Sequence, residues 1–197
     1  MDFPFKISNS LPYILLPILC IFFDEALKIS WINTNDILRA LVDNSGHGTI
    51  AFLSWLAVAG IDKRGLAEST LCCLMACAID VDHFIMAKSY SLKDALSLPK
   101  RPPFHSTSIL VPILPLTIVF AIYYPTFWTL PFLTTVSVIS HHIRDGHRRG
   151  IWFWPIGSTP AIPYWLYLVT IVLLPLLTTF FIVKINARMR VDVTSNV

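Results

Sequence analysis

RPPFHSTSILVPILPLTIVFAIYYPTFWTLPFLTTVSVISHHIR, residues 101–144, contains no Lys, Arg, Asp or Glu between its first residue and its last. A helix that crosses the hydrocarbon core of a bilayer needs about 20 predominantly apolar residues. This run therefore accommodates two crossings, with the turn at YYPTFW. A second uncharged run, from Gly150 to Val183, accommodates one crossing and a loop. The rest of the chain agrees: hydrophobic residues make up 55% of it and charged ones 14%, and mean hydropathy is +0.65. Such values fall outside the ordinary soluble range. They predict an all-α, polytopic membrane helix bundle, with residues 1–197 forming a single transmembrane domain.

Working outward from that run, about six transmembrane helices are expected, near residues 11–29, 36–61, 66–86, 105–123, 128–144 and 162–184. The segment LPYILLPILCIFF lacks a basic start and a small-residue cleavage site, so it reads as a retained first span. SLKDALS, residues 91–97, is expected to form a short interfacial helix, stopped by Pro102 and Pro103. Trp128 and Trp165 stand at span entrances, where aromatic rings prefer the headgroup level. The four cysteines, Cys20, Cys72, Cys73 and Cys77, lie inside apolar segments and read as small buried hydrophobes. The net charge of +3 is spread over loops and the tail KINARMR, which argues against a nucleic-acid partner.

Helices that alternate in direction bring the ends of the odd-numbered ones to the same membrane face as the starts of the even-numbered ones. All six histidines then fall on one face, together with Asp24, Asp43, Asp80, Asp82 and Asp145. In SHHIRDG, His141 and Asp145 are four apart and His142 and Asp145 three apart, so either pair can share a helix face. Such a pair either binds a divalent ion or forms a hydrogen bond at a wet helix end. In IDVDHF, Asp80 and His83 share a face, while Asp82 is turned away unless the helix frays. Asp80 follows LCCLMACAI with no basic neighbour in sequence, which makes an unpaired structural carboxylate costly there. His105 in RPPFHSTS and the Asp43–His47 pair in DNSGHG are weaker signals alone. The basic HRRG, residues 147–150, is either an anion-holding loop or a positively charged headgroup-facing one.

The ordered set of an early His47, IDVDH, RPPFHS, and SHHIRDG followed by GIWFWP resembles bacterial inner-membrane metal-dependent hydrolases of the YdjM type. Their pattern is an early histidine, PDIDH, HRGxTHS, and SHxxxD followed by a glycine and a proline. Over the whole chain, LRALVDN, IDVDHF, SLKDALSLP, SHHIRDG and PYWLY resemble the eukaryotic transmembrane protein 267 family. The hydrolase resemblance implies metal-ligand roles for His47, Asp80, Asp82, His83, His105 and His141. It also implies a catalytic or ligand role for Asp145. Three positions depart from the pattern: Ile79 replaces proline, Lys100 replaces the first histidine of HRGxTHS, and Phe104 replaces a small residue.

The expectation is a multi-pass membrane protein with a hydrolase-like site at one membrane face. Zn, Mn or Mg would lower the pKa of water and polarise a phosphoryl or carbonyl oxygen. His142 or Asp145 would orient or act as general base, and Arg149 would screen an anionic substrate. The lipid bilayer is the surrounding partner, and a lipid or lipid-linked ester such as a phosphate ester is the expected substrate. The alternative is a non-enzymatic membrane protein that keeps a degenerate or structural metal site for binding a protein partner, which Lys100 favours. Most basic residues fall on the site face, which leans it towards the cytosol.

Overall fold

The computed structural model describes residues 10–195, with side chains through residue 188. The two ends of the expected domain and the last side chains of KINARMR lie outside those residues. The fold is all-α, running α1 (Leu11–Ala26), α2 (Ser30–Asn33), α3 (Asp36–Ala59), α4 (Lys63–Ala78), α5 (Val81–Ala87), α6 (Leu92–Leu96), α7 (Leu110–Tyr123), α8 (Leu130–Arg149) and α9 (Tyr164–Ser195). A two-residue hairpin, β1 (Trp152–Phe153) against β2 (Gly157–Ser158), interrupts the helices between α8 and α9.

Helix starts follow local chemistry. Asn35 accepts the Ile37 and Leu38 N–H groups at 3.1 Å to open α3, and Asp62 accepts the Gly65 N–H at 2.7 Å to open α4. The expected continuous helix over 66–86 is instead two. The chain turns at Ile79 and Asp80 between α4 and α5, so Asp82 is not carried away from Asp80 as one uninterrupted helix would require. It is buried at 1% exposure. SLKDALS forms α6, as its pattern predicts.

α3 lies at the centre. Its Ile50 and Leu53 pack with Leu16 and Cys20 of α1, Ile143 of α8 and Tyr167 and Ile171 of α9. Its Ala51 and Trp55 pack with Cys72 and Ala76 of α4, Leu133 and Val136 of α8 and Ile182 of α9. Gly48 allows the α3–α4 approach: a Cβ there would meet Cys77 Sγ at 2.6 Å and Cys73 Sγ at 2.8 Å. Large apolar side chains cover the outside of the molecule, among them Ile14, Leu74, Leu116 and Phe180.

Two helical stretches are long and apolar enough to cross a membrane, Lys63–Ala87 and Tyr164–Arg188. Among the described residues only these two meet that measure, so it does not establish the six spans expected from the sequence. The reason is physical. α1 has 16 residues, and the apolar helical stretch that contains α7 runs from Thr107 to Tyr123, both near the lower limit for a crossing. α3 and α8 are long enough, with 24 and 20 residues, but carry the polar groups that build the site described next.

Candidate metal centre

Four segments deliver the cluster: α3 brings His47, the α4–α5 turn brings Asp80, Asp82 and His83, a 3₁₀ turn over Pro103–His105 brings His105, and α8 brings His141 and Asp145. Each imidazole is aimed by a partner. His141 Nδ1 donates to the Ala76 carbonyl at 3.0 Å, which leaves Nε2 with a bare lone pair. His83 Nδ1 donates to the Ala95 carbonyl of α6 at 3.0 Å, again leaving Nε2 bare. Backbone carbonyls used this way fix the tautomer and orientation of a metal-binding histidine. Asp82 accepts the Phe104 N–H at 2.7 Å and stands 3.3 Å from His105 Nδ1, so it positions both the turn and the ring.

The free atoms converge. His105 Nε2 is 3.1 Å from Asp80 Oδ1, 3.4 Å from His141 Nε2 and 3.7 Å from Asp145 Oδ2. His141 Nε2 is 3.7 Å from Asp80 Oδ1 and 3.8 Å from Asp145 Oδ2. A tetrahedral ion with bonds of about 2.0–2.1 Å holds its ligand atoms about 3.4 Å apart. His105 and His141 therefore stand at about a tetrahedral separation from each other, with Asp80 within 3.1–3.7 Å and Asp145 within 3.7–3.8 Å of both. Nitrogen and carboxylate oxygen suit Zn, Mn or Fe better than copper.

Charge supports the same fit. Burial disfavours a proton on His105, yet the hydrogen bonds to Asp80 and Asp82, with Asp145 nearby, push its pKa up to about 10. The carboxylates thus hold a positive charge at the centre when a proton is all there is to hold.

The other residues expected at the site are placed as follows. His47 stacks on His141, ring centroids 3.7 Å apart, with Nε2 3.4 Å from Asp145 Oδ1. His142 has both nitrogens engaged: Nε2 donates to the Phe104 carbonyl at 2.9 Å, and Nδ1 accepts from the Thr107 hydroxyl at 3.0 Å. It ties the His105 turn to α8. Arg149 is exposed and lines the cavity over the cluster, whose volume is about 890 Å³. His147 stacks on Tyr167 at 4.7 Å, and its Nδ1 bonds the Arg144 carbonyl, away from the ligand set.

Sequence reasoning did not find the charge lattice behind the cluster. Arg148 donates to Asp145 at 2.7 Å and to both oxygens of Asp43 at 3.0 and 3.1 Å. Arg144, fully buried, donates to Asp43 and, at 3.2 Å, to Asp24, whose other oxygen accepts from the Tyr164 hydroxyl at 3.1 Å. The i, i+4 spacing of Arg144 and Arg148 is the local sign of it. Nothing local marks Asp24 as the partner.

Curated proteins similar to this chain include Transmembrane protein 267 of Mus musculus, 40% identical over 182 residues that make up 90% of this chain and 84% of the relative. The chain belongs to the Transmembrane protein 267 family. Its members from Xenopus laevis (38% identical; 87% of this chain, 81% of the relative) and Danio rerio (41%; 79% and 72%) match along comparable lengths. Together with the two apolar helical stretches, family membership makes this a membrane protein. No family model and no solved structure matches the chain. These relatives lend no support to the resemblance to YdjM-type hydrolases.

Proposed function

We propose that Asp80, His105, His141 and Asp145 hold one divalent cation, and that the protein is a multi-pass, metal-dependent hydrolase acting on a lipid or lipid-linked ester. The convergence of these four side chains from three distant segments carries the reading. Such an ion withdraws electron density from an ester oxygen and makes water acidic enough to lose its proton near neutral pH. Asp82 positions His105, and His142 with Thr107 fixes the turn that presents it. His83, with Nε2 bare and facing the cavity, is the group placed to take a proton. His47 and Arg148 hold Asp145 Oδ1 from the opposite side.

In this reading α1, α3, α4 with α5, α7, α8 and α9 cross the bilayer, and the site opens at the cytosolic face. The apolar outer surface and the excess of basic residues on that face support it. Elemental analysis of purified protein is expected to give about one equivalent of Zn or Mn, lost in Asp80→Asn and His141→Ala. Unchanged metal content in both variants would remove the basis of the reading.

A second reading is a structural clamp. The same four ligands staple the α4–α5 turn and the His105 turn to α8, and Lys100 departs from the hydrolase pattern. Chelation that lowers the melting temperature of a protein inert towards lipid esters favours the clamp.

A further inference from the structure

Among the described residues, two arginines beside the cluster form no salt bridge with a carboxylate. Arg101 donates to the carbonyls of Gly150, at 3.0 Å, and Arg149, the residues that end α8. These bonds fix the direction of the guanidinium but do not neutralise it. Arg149 is exposed, and among the described residues no carboxylate pairs with the side chain of either. Burial and then the Arg149 charge depress the pKa of Arg101, and Asp145 opposes them. The Arg101 side chain is thus anchored on the backbone of Arg149. Both line the cavity whose floor includes Asp80, His105 and Asp145.

The other charges nearby are matched. Asp24 and Asp43 are paired with Arg144 and Arg148. Of the three remaining carboxylates, Asp80 and Asp145 face the place assigned to a divalent ion, and Asp82 is engaged with His105 and the Phe104 N–H. Adding that ion and the two unpaired arginines gives a net positive site, one that wants an anion. The same cavity is lined by Leu27, Ile37, Leu41, Phe84, Leu92 and Leu96. A cavity lined by both cationic and apolar side chains suits a phosphate carrying a hydrocarbon chain.

We propose that Arg101 and Arg149 form an anion clamp that binds the phosphate of a phosphomonoester next to the cation centre. Arginine holds phosphate oxygens bidentately, and the carbonyls of Arg149 and Gly150 spare Arg101 the entropy of finding its position. The clamp rests on the hydrolase reading for the fate of the ester, not for the binding of the anion.

The test uses full-length protein in detergent micelles and in nanodiscs. Binding of inorganic phosphate and glycerol 3-phosphate is measured by calorimetry, and binding of phosphatidic acid by its effect on thermal unfolding in nanodiscs. Metal content is measured on the same samples. Arg149→Gln is the cleaner variant because its side chain holds nothing else in place. The expected loss is about ten- to a hundredfold in phosphate affinity, with metal content unchanged and partial rescue by Arg149→Lys. Arg101→Gln should behave alike. Tighter binding of phosphatidic acid than of the soluble anions identifies a lipid source for the phosphate, and equal binding identifies a free ester. Wild-type protein that carries no metal yet binds phosphate, with that binding lost in the arginine variants, leaves the clamp standing and removes the hydrolase reading. Wild-type protein that binds none of the three probes, or arginine variants that bind like wild type, overturns the clamp.

Discussion

α7 and α8 are cut from the same uncharged run, yet they play opposite parts. α7 has no buried residue: Val111, Leu116 and Ile122 are 74%, 68% and 69% exposed, and its side chains are almost wholly apolar. α8 buries Thr134, Ser137, His141 and Arg144. These are spaced three, four and three apart, a stripe along one helix face that Arg148 continues. Hydropathy identifies segments that enter a bilayer. The polar residues hidden within them tell which segments face inward.

The sharpest way to break this contrast is His141→Ala. It removes the corner of the cluster that α8 supplies, and bound metal should fall to background in elemental analysis, with the helical circular dichroism signal retained. Replacing Arg144 with Met is next. It leaves Asp24 and Asp43 without their buried partner and should cost about 3–5 kcal/mol, read as a fall in melting temperature in detergent. Adding Asp24→Asn should recover part of that loss. Melting unchanged in Arg144→Met would mean that the stripe on α8 does not hold the bundle.

Gly46→Ala probes the same contact from α3. Its Cβ would lie 3.0 Å from Arg144 Cζ and Nη2 and 3.2 Å from Phe23 Cγ. About 1–3 kcal/mol of destabilisation is expected, measured in the same melting experiment.

His105 enters ahead of α7 and answers His141 on α8, so the two ends of the uncharged run meet at one point. A metal must displace the proton that Asp80 and Asp82 hold on His105. Apparent metal affinity should therefore rise with pH by up to about tenfold per unit, about 1.4 kcal/mol, and level off near pH 10. In metal-free protein the raised pKa has the reverse sign. Its contribution to stability is complete below about pH 6.5, the ordinary histidine value, and is lost as pH rises through 10. Affinity independent of pH over that window would mean that His105 is not a ligand.

The smallest effects belong to α7. Val111→Ala, Leu116→Ala and Ile122→Ala should each change stability by no more than about 0.5 kcal/mol in detergent, since none fills a packed space.

Much of this was legible in the sequence. The uncharged runs locate α7, α8 and α9, and the alternation of helices puts the histidines and aspartates on one side. The His141–Asp145 spacing marks a shared face because helical periodicity is a local property. What was not legible is non-local. The break at Ile79 and Asp80 has no glycine or proline to announce it, and it decides where Asp82 goes. The role of His142 depends on Thr107 and on the carbonyl of Phe104, which no pattern of side chains reveals. The apolar character of α3 and α8 is diluted by the site itself, so hydropathy falls in the helices that matter most.

Arg144 is neutralised by residues made long before it. Asp43 and Asp24 precede it by 101 and 120 positions, and Tyr164 of α9, which shares Asp24, follows it. During synthesis the two acids leave the ribosome first and wait at the aqueous edge, because neither can settle among hydrocarbon tails alone. The bundle therefore closes late, when α8 arrives, and it locks when α9 docks. A chain halted between the two would have its charges paired but would leave one oxygen of Asp24 without the Tyr164 hydroxyl.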